Sequence, residues 1–423
     1  MTTNSILLVA YQCGPGMGSV SQIGWEWFVR LGVNHKLTLV THERNRSAIS
    51  SNENSQSREI IYIDTEWFAG PLYRCAKRLF PTSEHSVFLI SSLDYFLFDL
   101  IAYFKLKRAL KAGADWQLTH RVTPVTLAAP TWLGRLGIPL LVGPLNSGLG
   151  SPAGFDRILK RESVWLIQLR KIGSLFDHVI GSTKRVARML IATKTTLQAV
   201  ASKHQVRCHM MLENGVNLDH FSMSAWPNNP SQSNPLRVLF VGRLIPLKGV
   251  DMLIEAICAM KKNNLAVHVD IIGDGPMLSE WTALVAHHKL SDQVKFLGAQ
   301  DSNAVASAMH GCHVLCLPSV RESGGAVLLE AMSCGRPVIA LNYGGPSEII
   351  NESIGALIPM QTPEQVIQDL EKTLTDIIAS PSQWQKKGCA ARQATEDHYS
   401  WNAKIDAIES HYQALIERKL NHV

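Results

Sequence analysis

The chain has 423 residues, 46% of them hydrophobic and 18% charged, with a formal net charge of +6. That length allows two ordinary domains with full cores. No run of ~18 or more uncharged apolar residues occurs, which excludes a spanning helix, and eight cysteines without paired spacing point to reduced thiols in a cytosolic compartment.

Taken in chain order, Ile6–Ala10 is too short for the apolar core of a leader and reads as a first strand. The turn Gly14-x-Gly16-x-Gly18 and a helix over 22–31 follow it. Strands are expected at 37–41 and 60–63, with a polar surface loop over 46–58 between them. Helices at 67–79 and 86–111 precede strands at 117–121 and 138–143. A glycine-rich turn spans 144–152, helices continue to about 174, and short strands at 178–181 and 208–212 close this half. Residues 226–235 carry three prolines and no periodicity, as a linker should. Beyond them, strands at 236–242, 267–272, 294–297, 313–317, 337–341 and 356–358 alternate with helical segments, which predicts a parallel sheet covered on both faces. A final helix runs over 401–420.

Charge is distributed unevenly. Residues 1–215 hold 25 Lys and Arg against 14 Asp and Glu, whereas the remainder is acidic, with 16 against 21. Basic clusters at Arg74/Lys77/Arg78, Lys105/Lys107/Arg108/Lys111, Arg157/Lys160/Arg161 and Lys184/Arg185/Arg188 accompany Trp67, Phe68, Phe80 and Trp165. Such a pattern suits peripheral contact with anionic lipid, without insertion. Nothing points to nucleic acid as a partner. His310, Cys312, His313 and Cys316 alternate with apolar residues of an expected core strand, so they read as structural rather than as a zinc site. No Asp-x-Asp pair is present to hold a metal.

Two segments carry chemistry. Gly242-Arg243-…-Lys248-Gly249 joins an expected strand to an expected helix, placing Arg243 and Lys248 where open α/β sheets bind ligands. Arg321-Glu322-Ser323-Gly324-Gly325-Ala326-Val327-…-Glu330 joins another strand to another helix. Orphan amides at such a helix start favour an anion. Two cations can neutralise a diphosphate without a metal, and two flanking carboxylates can accept from hydroxylated rings. A nucleotide-sugar has that shape.

These motifs, with Leu212-Glu213-Asn214-Gly215-Val216, Gly273-Asp274-Gly275-Pro276, Gly335-Arg336-Pro337-Val338-Ile339-Ala340 and Gly344-Gly345-Pro346-Ser347-Glu348, resemble glycosyltransferase family 4. The resemblance implies an α/β chain of the GT-B fold, with two Rossmann-like domains facing each other across a cleft. Residues 1–218 would bind the acceptor, residues 219–398 the donor, and helix 401–420 would pack back on the first domain. It implies a retaining, metal-independent transfer of a hexose-type sugar to a glycan or lipid-linked acceptor, in surface polysaccharide or glycolipid synthesis, in the cytoplasm or peripherally on the inner face of the membrane. No cofactor is expected beyond the nucleotide-sugar co-substrate.

Carried over by position, Arg243, Lys248 and the amides of Gly325, Ala326 and Val327 would stabilise the leaving diphosphate. Glu322 would hold donor-sugar hydroxyls, Glu330 the ribose diol, and Gly16 and Gly18 would close over the diphosphate. His120 would lie next to the transferred sugar. Ser323-Gly324-Gly325 departs from the family's usual Gly-Phe-Gly, which touches the fit to the donor sugar. The alternatives are a non-catalytic GT-B nucleotide-binding module and another GT-B enzyme, such as an epimerase or a phosphorylase.

Overall fold

A computed structural model describes residues 3–52, 58–80, 90, 92–150, 152, 154–155, 177 and 180–420. Two compact units emerge: Met1–Gly148, Ser163–Glu213 and Lys404–Val423 form the first, and Leu149–Glu162 with Asn214–Ala403 the second. The expected helices at 156–174, Trp165, the Arg157/Lys160/Arg161 cluster, Ser151 and the start of helix 86–111 fall wholly or mainly outside the described residues.

In the first unit the strands are β1 (Ser5–Ala10), β2 (Lys36–His42), β3 (Glu59–Ile63), β4 (Leu118–Thr123), β5 (Leu140–Leu145), β6 (Arg188–Ile191) and β7 (Cys208–Met210). They form a parallel sheet of order β3-β2-β1-β4-β5-β6-β7. Ile6 to Ala10 are buried, as a strand covered on both faces requires. Tyr95, Phe98, Ala102 and Leu106 of the helix Asp94–Lys111 join Leu7, Val9, Val40 and Ile63 in one core.

In the second unit β8 (Leu236–Val241), β9 (Val267–Ile272), β10 (Val294–Gly298), β11 (Val314–Leu317), β12 (Val338–Leu341) and β13 (Gly355–Ile358) run in the order β10-β9-β8-β11-β12-β13, again parallel. The helix Val250–Lys262 buries Val250, Leu253, Ile254 and Ile257, the i, i+3, i+4, i+7 face of an amphipathic helix. Thr362 caps the helix Pro363–Ala379 by accepting from the Gln365 amide, with Pro363 in the first turn. In both sheets the strand order reverses beside the first strand, so the crevices at the carboxyl ends lie between β1 and β4 and between β8 and β11.

Three expectations are corrected. Of the short strand placed at 178–181, residues 178 and 179 lie outside the described residues, Ile180 is helical and Gly181 is a turn. The strand that joins the sheet here is β6, Arg188–Ile191, whose arginine and four-residue length hide it behind the basic run 184–188. Arg46–Ser50 is a helical turn, not loop. Residues 226–235 do not join the units, since the chain crosses at Glu213–Asn214. They pack within the second unit, where His313 Nε2 donates to the carbonyl oxygen of Asn228 at 2.9 Å and the guanidinium of buried Arg336 lies 5.9 Å from the centroid of the Trp226 ring.

Candidate functional site

Two loops meet at the β8/β11 crevice of the second unit. The first leaves β8 at Gly242, passes Arg243 and makes a 3-10 turn over Pro246–Lys248. Gly249 closes that turn with φ +61°, and a Cβ there would lie 2.3 Å from the carbonyl oxygen of Pro318. Only glycine tolerates both conditions. The contact seats the first loop against the start of the second.

The second loop runs from Pro318 to Gly325, where the helix Ala326–Ser333 begins. It carries Glu322. Lys248 Nζ donates to Glu322 Oε2 at 2.5 Å, and the Gly325 amide donates to Oε1 at 3.3 Å. Both side chains are largely buried, at 20% and 14% exposure. Burial by itself pushes the Glu322 carboxyl up, but Lys248 and the Gly325 and Gly324 amides outweigh it and hold the group below the usual carboxylate range. Glu322 is thus a fixed anion held by the same lysine that the sequence assigns to phosphate.

Two further turns brace this pair. The Gly345 amide donates to the carbonyl oxygen of Glu322 at 3.0 Å. A Cβ on Gly344 or Gly345 would lie 2.2 Å from the carbonyl oxygens of Glu322 and Ser323, respectively. Similarly, the Leu244 amide donates to the Asp274 carbonyl at 2.8 Å, and a Cβ on Gly273 would lie 1.9 Å from the Gly242 carbonyl oxygen. Sequence reading quoted these glycine turns without giving them work. Their close backbone approach is what they do. Arg321 donates to the Leu149 carbonyl at 3.1 Å, bringing in a residue of the glycine-rich turn expected at 144–152, a contact that no local pattern marks.

Arg243 is exposed at the end of β8, Ser323 is exposed, and Gly324 and Gly325 are buried. Ala326 and Val327 form the first helical turn, so their amides face out of the helix start. Glu330 lies one turn further on, half-buried, and burial pushes its carboxyl up to about 7. A group raised in this way binds a proton more tightly folded than unfolded, so apo stability declines as pH rises from ~4.5 to ~7. Glu330→Gln should therefore stabilise the ligand-free protein above pH 7, on the order of 1–2 kcal/mol. Thermal unfolding at pH 5 and pH 8 would test this, and an unchanged or lowered midpoint at pH 8 would contradict it.

The remaining expected residues belong to the first unit. Gly16 (φ +72°) and Gly18 (φ +102°) lie in an exposed turn, and Gly18 precedes the helix Ser19–Asn34. His120 is corrected. It sits inside β4, fully buried, with Nε2 2.8 Å from the Gly143 carbonyl oxygen and Nδ1 2.7 Å from the Tyr412 hydroxyl. A carbonyl can only accept, so Nε2 carries the proton and Nδ1 accepts from Tyr412. Burial pushes the imidazole down to about 3. With both nitrogens engaged and Trp27 against the ring, His120 is a core tie between β4, β5 and the last helix. His120→Ala should cost about 3–5 kcal/mol, from the cavity and two orphaned polar groups. Urea unfolding with no change in midpoint would refute that role.

The zinc alternative is likewise answered by geometry. His310 Nε2 and His313 Nε2 donate to the carbonyl oxygens of Ser222 and Asn228, while Cys312 and Cys316 are buried thiols pushed up to about 12.

With this geometry in view, the comparisons are specific. Residues 226–389 match the family model described as Glycosyl transferases group 1. The 2-deoxystreptamine glucosyltransferase of Streptomyces kanamyceticus is 26% identical over 365 residues, covering 85% of each chain. The chain spans about half the length, or less, of several other curated glycosyltransferases that it matches. Among solved structures, sucrose-phosphate synthase from Thermosynechococcus elongatus superposes with a TM-score of 0.64 at 19% identity, covering 98% of this chain and 100% of that one. Anabaena HepE in complex with UDP gives 0.63 at 14%, covering 97% and 100%. Residues 226–389 therefore form a domain of the glycosyl transferases group 1 family, in a chain built on the two Rossmann-like sheets of the GT-B fold.

Proposed function

We propose that the protein is a glycosyltransferase that takes a hexose-type sugar from a nucleotide-sugar and passes it to a glycan or lipid-linked acceptor with retention at the anomeric carbon. The observation that carries this reading is the convergence of Lys248 and Glu322 at 2.5 Å, at the strand-order reversal and beside a helix N-terminus. Arg243, Lys248 and the first-turn amides of Ala326 and Val327 would receive the departing diphosphate, a preorganised field that gains strength as charge develops on the leaving oxygen. Glu322 would accept from hydroxyls of the sugar and Glu330 from the ribose diol. No carboxylate nucleophile is invoked. The leaving oxygen takes the acceptor proton as the new bond forms on the face it vacates, which makes alignment the main demand on the protein.

Because two cations serve the diphosphate, transfer and donor hydrolysis should proceed in excess chelator. Purified protein incubated with UDP-, GDP- and ADP-sugars, with and without chelator, tests both statements. Tight binding or hydrolysis of one donor class is expected. Binding of none would remove the reading, and a strict need for added magnesium or manganese would remove its metal-free form.

A further inference from the structure

Soluble proteins bury the aromatic residues of their helices against a core. Two helices at the β3 side of the first unit also turn large apolar side chains outward. In Glu66–Leu79 the buried residues are two alanines, Ala69 and Ala76, while Trp67 is 66% exposed and Leu79 64%. Trp67, Pro71, Arg74 and Arg78 follow one another at i, i+4, i+7 and i+11, which places them on a single outward stripe, with Lys77 also exposed. The helix Asp94–Lys111 packs Tyr95, Phe98 and Tyr103 inward but presents one aromatic outward in its second half. Phe104, 61% exposed, shares a stripe with Lys107, Arg108 and Lys111 at i, i+3, i+4 and i+7.

The first turns of both helices meet at Arg44, which donates to Glu66 at 3.0 Å and to Asp94 at 2.9 Å, and both relate to β3, the edge strand of the first sheet. The first follows it directly, and Lys105 of the second donates to the Tyr62 carbonyl of β3 at 3.2 Å. The acids on these helices do not offset the cations at the surface. Asp94 and Asp99 are buried, and Glu66 is held by Arg44 at 3.0 Å.

From this juxtaposition we infer that the outward stripes of Glu66–Leu79 and Asp94–Lys111 form a docking face for an anionic lipid bilayer. Aromatic rings at the water–hydrocarbon boundary with Lys and Arg reaching the headgroups are what such a surface selects. Seven cations, Arg74, Lys77, Arg78, Lys105, Lys107, Arg108 and Lys111, complement its charge. No helix among the described residues is long and apolar enough to cross a membrane, so the contact is made from outside. The inference is independent of the glycosyl-transfer reading, since it concerns the other unit and requires no donor.

Cys75 lies on the same helix and is exposed, as is Cys389 of the second unit. Maleimide labelling of the full chain would therefore report docking with an internal reference. With vesicles of phosphatidylcholine and phosphatidylglycerol at low salt, Cys75 labelling should slow several-fold while Cys389 labelling stays constant, and the protein should pellet. High salt should reverse both effects. Arg74→Glu with Arg78→Glu, or Lys107→Glu with Arg108→Glu, should lower the vesicle partition coefficient by at least roughly tenfold, at roughly fivefold per lost cation. Trp67→Ala should lower it less. Circular dichroism on each variant separates lost docking from lost folding. Equal partition into pure phosphatidylcholine, absence of binding to either vesicle, or binding that survives both charge reversals would overturn the assignment. So would equal protection of Cys75 and Cys389.

Discussion

Lys248→Ala is expected to weaken nucleotide-sugar binding by roughly tenfold to a hundredfold and to lower turnover as well. Two losses combine. The diphosphate loses a cation, and Glu322, 14% exposed, loses the charge that offsets its burial. A carboxylate left with only the Gly325 and Gly324 amides moves upward in pKa, so the variant should also acquire a loss of activity at mildly acidic pH that the parent lacks. Glu322→Gln should behave differently. In the ligand-free state Glu322 competes with phosphate for Lys248, so its neutralisation should leave affinity for the bare nucleoside diphosphate unchanged or raise it. Turnover should fall, because the sugar hydroxyls exchange a charged two-oxygen acceptor for a neutral amide with one acceptor oxygen. Calorimetry with free nucleotide and donor kinetics on both variants separate the roles. If Glu322→Gln weakened the bare nucleotide as much as Lys248→Ala did, the division of labour would be wrong.

Gly344→Ala should be severely damaging for a single methyl group, because it presses directly on Glu322. Its φ of +69° is strained for alanine, and the added Cβ would lie 2.2 Å from the Glu322 carbonyl oxygen. Backbone cannot rotate away as a side chain can, so Glu322 must shift. Displacement of a reacting group's support by ~1 Å can cost roughly a hundredfold in rate. Gly137→Ala supplies the control. Its φ is +83°, yet nothing lies within 4 Å of the added carbon. It should cost only the conformational strain, about 1–2 kcal/mol of stability. Comparable losses of donor turnover in the two variants would show that the Gly344 contact does not position Glu322.

Much of this architecture is legible in the sequence, for a physical reason. Strands buried on both faces, such as Val238–Val241 and Val314–Leu317, are continuous apolar runs, and their helices repeat every three to four residues. The β8 and β11 loops stand out because glycine and charge interrupt those runs at strand ends. Three things are hidden. His120 looks functional because a histidine in a strand does not announce that its partners, Gly143 and Tyr412, lie 23 and 292 residues away. The pairing of Lys248 with Glu322 spans 74 residues and depends on strand order. Leu149 joins the second unit through a backbone carbonyl, a group every residue carries. Local pattern records what a residue is. It does not record which distant groups the topology will bring to it.

The interruption of the first unit has a consequence for biosynthesis. Its core includes Tyr412, which holds His120, and buried Lys404, whose ammonium donates to the Leu212 carbonyl. These residues leave the ribosome only after all of Asn214–Ala403, the bulk of the second unit, which is contiguous in the chain apart from Leu149–Glu162. The half that is translated first is therefore completed last. While the second unit emerges and folds, the nascent amino-terminal sheet waits with the His120 side of its core open, and that interval is when chaperone capture or proteolysis would find it.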